Sequence, residues 1–290
     1  MTVAQNTLAS EVPPSLQDAF AELGTAKRRL TRRGTAYVQL GQGEPLVLVH
    51  GVGMRLEAWA PQIVHFARSH TVIALDMPGH GSSAALPIGS NLRDFVGWLG
   101  DVLDDLGLEA VNVAGHSMGA LIAGGAAVTL PDRILRVACL NAAYRRSMAA
   151  KRAVLERAAA IWTEGIDPDG PIGRWFDGSE GSREVSTIVH GWLAGASAQS
   201  YAVTYTAFAT GDEIYAGAWP GITVPALFLT GAGDPNSTPE MSRQMAALAP
   251  RGQLSIIEGH RHMVNLTAPG QVNAAMETWL NTGCVAAGTR

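Results

Sequence analysis

The sequence predicts an α/β fold, a mostly parallel central sheet of about eight strands with helices on both faces. Two observations predict it. Short apolar runs alternate along the chain with stretches of helical periodicity, the signature of strand–helix–strand units. The runs are also nearly continuous in apolar character, as strands covered on both faces require.

In chain order, a hairpin is expected first, at 28–31 and 36–40, turning at Arg33-Gly34. Strands follow at 46–49, 71–75, 111–114, 135–140, 226–230 and 254–257. Between the second and third of these, Leu92, Phe95, Val96, Leu99, Val102, Leu103 and Leu106 recur at three- and four-residue steps and give one apolar helical stripe over 91–106. A helix of small residues is expected over 120–128. Thr238 suits the N-cap of another, whose first turn holds Pro239 and Glu240. Val272, Met276, Trp279 and Leu280 mark a last amphipathic helix. The alternation breaks only at 141–222, which is too long for a plain loop and carries four of the seven tryptophans.

Composition narrows the function. The chain has 290 residues, 47% of them hydrophobic, and a net charge of −4, too mild to suggest a nucleic-acid or membrane partner. One basic cluster, Lys27, Arg28, Arg29, Arg32 and Arg33, reads as a solvated hairpin, with a phosphate-binding patch as the alternative. Cys139 sits in an apolar run and reads as core; with Cys284 it makes neither a disulfide framework nor a metal-ligand spacing. Residues 1–14 lack the pattern of a secretion signal, and no run of about 18 apolar residues occurs. The expectation is a cytoplasmic monomer or homodimer acting on a small molecule, with no metal and no cofactor.

The chemistry centres on Gly115-His116-Ser117-Met118-Gly119, directly after the strand at 111–114 and opening the small-residue helix. That is the strand–turn–helix setting of a nucleophile elbow: the turn lifts the serine hydroxyl clear of the backbone, and flanking glycines avoid collision with the adjoining strand and helix. A serine hydroxyl needs a base. His260 and His262, both on the loop 258–263 after the last strand, remain open on position alone. His116 is expected to point away from the site, His50 and His80 to brace nearby loops, and His65 and His70 to lie at the surface. Asp234, in the turn after the strand at 226–230, is placed to orient the base, since strand carboxyl ends gather the site in such sheets. The corresponding turn after Leu140 reads Asn141-Ala142-Ala143 and has no carboxylate. Backbone amides of Val52, in His50-Gly51-Val52-Gly53, and of Met118 are the expected oxyanion donors.

These motifs, in the order serine, aspartate, histidine, resemble the α/β-hydrolase superfamily over roughly 37–280, in its serine-nucleophile esterase or carbon–carbon hydrolase-like branch. The resemblance also includes Asp76-Met77-Pro78-Gly79-His80-Gly81-Ser82-Ser83 and the turn Gly231-Ala232-Gly233-Asp234. It implies a catalytic triad of Ser117, Asp234 and His262, a core at 1–140 and 223–290, and a helical cap at 141–222. It selects His262 over His260 by the spacing to Pro269. One departure stands out: the family often has glycine directly before that histidine, where this chain has Arg261, and Gly259-His260 supplies the usual dipeptide instead.

The activity so implied is hydrolysis of a small, largely apolar carboxylic ester through an acyl-enzyme. A carbon–carbon hydrolase of ring-cleavage products, an acyltransferase and a non-catalytic binding protein are the alternatives. Gly51, Tyr144, Arg145, Trp175, His190, Trp192 and Met263 are the expected substrate contacts. Arg145 and Arg146 are placed to meet a substrate carboxylate or, with Lys151, Arg152 and Arg157, to form a solvated helix face.

Overall fold

A computed structural model describes residues 15–283. Cys284 and residues 1–14 therefore lie outside it. The eight strands are β1 (Arg29–Leu30), β2 (Ala36–Leu40), β3 (Glu44–Val49), β4 (His70–Leu75), β5 (Val111–His116), β6 (Ile134–Leu140), β7 (Ala226–Gly231) and β8 (Gly252–Ile257). They form one sheet in the order β1-β2-β4-β3-β5-β6-β7-β8. The β1–β2 hairpin and the β2–β4 pair are antiparallel, and every other pairing is parallel. The α/β fold with a mostly parallel sheet is as the sequence predicts.

The helices are α1 (Leu16–Gly24), α2 (Ala60–Phe66), α3 (Leu92–Asp105), α4 (Met118–Thr129), α5 (Met148–Glu164), α6 (Asp169–Trp175), α7 (Glu180–Ala194), α8 (Ala198–Gly211), α9 (Pro239–Leu248), α10 (Val264–Thr267) and α11 (Pro269–Leu280). Leu46, Val47, Leu48 and Val49 of β3 are all fully buried. Their alternate side chains feed two separate cores, Val47 and Val49 with α3 and α4, Leu46 and Leu48 with α2 and α11. Each such buried Leu or Val is worth about 1.5–3 kcal/mol of apolar transfer. No described helix is long and apolar enough to cross a membrane.

Local chemistry starts the helices where the sequence suggests. Asn91 and Asp94 close a reciprocal capping box at the start of α3, and Thr238 Oγ1 accepts the Met241 N–H at the start of α9. The α4 helix is apolar all round and buried from Met118 to Ala127. Its small residues permit this: Gly124 lies against the Trp219 ring and Gly125 against Val96 and Tyr215.

Residues 141–222 carry the four helices α5 to α8. The loops that matter all leave the carboxyl ends of strands: His50–Gly53 after β3, Ser117 after β5, Asn141 after β6, Asp234 after β7 and His262 after β8. That edge is where an open α/β sheet gathers its ligands. The basic hairpin is largely neutralised. Arg28 pairs with Glu57 and Asp76, and Arg32 and Arg33 pair with Asp105.

Candidate active site

Ser117 sits between β5 and α4 with φ 57° and ψ −114°, a backbone region that costs a non-glycine residue about 1–3 kcal/mol. Neighbouring structure holds it there. Its N–H donates to Leu140 O at 2.9 Å. A Cβ on Gly115 would fall 1.9 Å from the Gly119 carbonyl oxygen, and one on Gly119 would fall 2.1 Å from Val49 O. Glycine at both positions lets β3, β5 and the start of α4 close on the bend. Gly51 approaches from the other side, its missing Cβ 3.0 Å from that of Ser117.

Asp234 and His262 are both buried and share a hydrogen bond of 2.7 Å between Oδ2 and Nδ1. Asp234 Oδ1 accepts the N–H groups of Asn236 and Ser237 at 2.8 and 3.1 Å. Asn141 Nδ2 donates to Oδ2 at 2.8 Å and to Thr230 Oγ1 at 3.0 Å. Burial by itself would raise the Asp234 pKa; the His262 charge and the donors of His262, Asn141 and Asn236 together hold it below the usual carboxylate range. An ionised Asp234 accepts the hydrogen bond of His262 Nδ1–H, which fixes that tautomer and leaves the Nε2 lone pair free for a base's work. Ser117 and His262 line the same cavity, and among the described residues no hydrogen bond joins them. In ligand-free sites such bonds are often long and tighten around substrate.

The other histidines have structural partners. His260 meets Thr267 Oγ1 at 3.0 Å, whereas it is His262 that pairs with Asp234. His116 Nε2 donates to His262 O at 2.8 Å, and burial followed by the nearby His262 brings its pKa down to about 3. His50 Nε2 accepts the Met77 N–H at 2.9 Å while its Nδ1–H donates to Gly51 O. His80 Nε2 accepts the Gly53 N–H at 3.0 Å while its Nδ1–H donates to Pro78 O. Burial lowers both pKa values, so two neutral imidazoles stitch the loop after β3 to the turn after β4. In that loop the Val52 N–H donates to nothing among the described residues, and Met118, as first residue of α4, has no intrahelical acceptor for its own.

The cavity over Ser117 has a volume of about 540 Å³. Val52, Ser117, Pro235 and His262 line it from the sheet side; Arg146, Val154 and Arg157 near α5, Arg174 and Trp175 of α6, and Tyr205 and Phe208 of α8 line it from above. Trp175 stacks on His262, ring centroids 5.3 Å apart and planes at 27°. Three arginines lie on one cavity wall. Arg146 is spoken for: it pairs with buried Asp212 at 2.9 Å and lies over the Phe208 ring. Arg157 donates to Tyr205 Oη at 3.1 Å. Burial and then the proximity of Arg157 lower the Arg174 pKa. Neither Arg157 nor Arg174 is ion-paired among the described residues. Those residues contain no cluster of three or more His, Cys, Asp or Glu able to hold a metal ion.

Residues 46–275 match the model of the alpha/beta hydrolase family. The chain belongs to the alpha/beta hydrolase family. A curated relative, the (E)-2-((N-methylformamido)methylene)succinate hydrolase of Acinetobacter baylyi, is 50% identical over 255 residues, 88% of this chain and 97% of that one. The enol-lactonase of Burkholderia xenovorans superposes with a TM-score of 0.79 at 26% identity, covering 88% of this chain and 99% of its own. A thermophilic esterase from Thermogutta terrifontis shares the fold, with a TM-score of 0.79 at 24% identity over 88% and 98% of the two chains. As a member of this family the chain is a hydrolase.

Of the substrate contacts expected from sequence, the hydrolase fold sets Trp175 on the cavity wall and Gly51 against Ser117 beneath it. Five do not line the cavity. Tyr144 is buried with its hydroxyl on Ala216 O. Arg145 is exposed and lies over the Tyr144 ring. His190 pairs with Asp169 at the surface, Trp192 packs edge-on against Phe20, and Met263 is fully buried. The solvated-face reading holds for Lys151 and Arg152, which pair with Glu213 and Glu156, but Arg157 of the same helix turns inward. Sequence reasoning missed Arg174 altogether, and it read Asn141 only as a missing carboxylate. Neither carries a local motif.

Proposed function

We propose that this hydrolase works through a Ser117–His262–Asp234 triad on a small acyl compound bearing carboxylate. The observation that carries the reading is the short Asp234–His262 hydrogen bond beside a strained serine on one cavity wall. His262 takes the Ser117 proton as Oγ attacks a carbonyl carbon. The amides of Val52 and Met118 receive the negative oxygen. The tetrahedral centre collapses, the carbonyl carbon's bond to its leaving atom breaks, and His262 passes the proton to that atom. Water, deprotonated in turn by His262, then splits the acyl-enzyme and frees the acid.

The substrate class follows from two lines of support. The name of the Acinetobacter relative describes a succinate, with two carboxylates, carrying an N-methylformamido group whose carbonyl is a target for attack. In this chain Arg157 and Arg174 line the cavity with no carboxylate ion-paired to them among the described residues, and guanidinium forks bind carboxylates strongly. An N-acyl enamine of a dicarboxylic acid therefore fits better than the largely apolar ester expected from sequence. The segment 141–222 acts as the cap that supplies this selectivity, over a core of 1–140 and 223–290.

The test is a parallel screen of N-formyl enamine dicarboxylates, neutral esters, lactones and vinylogous diketones against wild type and Ser117→Ala. Turnover of the first group alone, abolished in the variant, is the expected result. Preference for diketones would favour carbon–carbon cleavage, acyl transfer to an added alcohol in place of water would favour an acyltransferase, and no turnover of any compound would favour a binding protein.

A further inference from the structure

We propose that Arg261, the residue that departs from the family's usual glycine, is a positioning residue that fastens the end of α6 to the histidine loop and so sets Trp175 against the catalytic base. The proposal rests on the triad reading above. Arg261 Nη1 donates to Phe176 O at 2.8 Å and to Gly173 O at 3.2 Å, the two carbonyls around the carboxyl end of α6. Those carbonyls have no following helical turn to accept from, and a cation is favoured at such an end. The next residue completes a second tie, the His262 N–H donating to Trp175 O at 3.3 Å. Trp175 thus meets the catalytic loop twice, through its carbonyl and through its ring stacked on the His262 imidazole.

Arg261 is itself held on the sheet side. Its carbonyl oxygen accepts from Asn141 Nδ2 at 3.3 Å, and a Cβ on Gly231 would come within 2.2 Å of it. Gly233, in the turn that presents Asp234, lies close enough that a Cβ there would stand 3.3 Å from Arg261 Cγ. One side chain therefore spans from the turn carrying the acid, past the base, to the helix carrying Trp175 and Arg174. A glycine at this position would remove both side-chain hydrogen bonds to the end of α6 and leave it joined to the histidine loop by the His262–Trp175 backbone bond and the ring stacking. The guanidinium is thus a strap between cap and core, and its expected effect is on both the base's geometry and the placing of Arg174.

Kinetics of Arg261→Ala, Arg261→Lys, Trp175→Ala and the Arg261→Ala/Trp175→Ala double variant test this on the intact chain. Arg261→Ala should lower kcat roughly 10- to 100-fold, the scale of an ångström-sized misplacement, while the unfolding midpoint moves by only about 2–4 °C. Arg261→Lys should recover part of the loss, because an ammonium also reaches a carbonyl. KM should rise more for a carboxylate-bearing substrate than for a neutral one. The double variant should have nearly the kcat of Trp175→Ala alone, since Arg261 acts through that ring. Unchanged kcat in Arg261→Ala, or losses that simply multiply in the double variant, would overturn the positioning role while leaving the triad standing if Ser117→Ala is inactive. An active Ser117→Ala would overturn the triad and this proposal with it.

Discussion

Two walls face each other across the cavity, and they are built differently. The lower wall comes from turns at the carboxyl ends of β3, β5, β7 and β8, each clamped by backbone contacts too close to admit a side chain: Gly115 on Gly119, Gly119 on Val49, Gly231 on Arg261. The upper wall comes from α5, α6 and α8, and its character lies in side chains, Arg157, Arg174, Trp175 and Tyr205. On the proposed function, the lower wall, whose geometry is set by the sheet, carries the reaction and the upper wall selects the substrate, so that chemistry and selection fall on separate walls.

Substitutions on the two walls should therefore give different kinetic signatures. The largest effect is expected below: Ser117→Ala should cost about 10⁴–10⁶-fold in kcat, read in a steady-state assay on the best substrate of the screen. Asp234→Asn should follow at about 10⁴-fold with the fold intact by circular dichroism, because the amide oxygen is needed by the Asn236 and Ser237 N–H groups and the amide NH2 would then face His262 Nδ1 and favour the wrong tautomer. A loss under tenfold would move the acid elsewhere. Above, Arg157→Gln and Arg174→Gln should each raise KM for a carboxylate-bearing substrate roughly 10- to 100-fold, the worth of a charge-assisted hydrogen bond of about 1.5–3 kcal/mol, with kcat nearly kept. Equal losses for a neutral ester would erase the distinction between the walls.

The smallest effect concerns pH and the lower wall alone. Burial holds His50, His80 and His116 neutral in the fold, His116 with its pKa down to about 3. In the unfolded chain the same groups take up protons below about pH 6.5. The unfolded state then binds more protons, so stability should fall as pH drops through that value and, for His116, keep falling toward about 3. Urea midpoints measured from about pH 7 down to about pH 4 should show the decline, and His116→Gln should flatten part of it. A flat profile in the wild type would mean that these imidazoles are not held neutral.

The same division explains what was legible in the sequence. Strands covered on both faces write continuous apolar runs, and all six parallel strands fall where those runs predict, within a few residues at their ends. The elbow and the Gly231–Asp234 turn were legible because glycine is the residue that such close backbone approaches permit. The hairpin of β1 and β2 was legible from its turn. The upper wall was not. Helices α5 to α8 pack on one another and on the sheet, so their apolar residues mark burial without saying what is buried against what. Arg157 and Arg152 share a helix, yet one turns to the cavity and the other to solvent, and no sequence signal separates them. Asn141 was read for the carboxylate it lacks; its amide supports Asp234 from the end of the neighbouring strand, in a contact only the sheet order reveals.

The central claim is that one alcohol on a strained bend is made nucleophilic by His262. Treating the intact protein with a fluorophosphonate and locating the adduct by peptide mass spectrometry tests it directly. A single phosphonylated peptide carrying the adduct on Ser117, formed far more slowly in His262→Ala, is the expected result. Labelling at another residue, or equal labelling with and without the His262 imidazole, would contradict it.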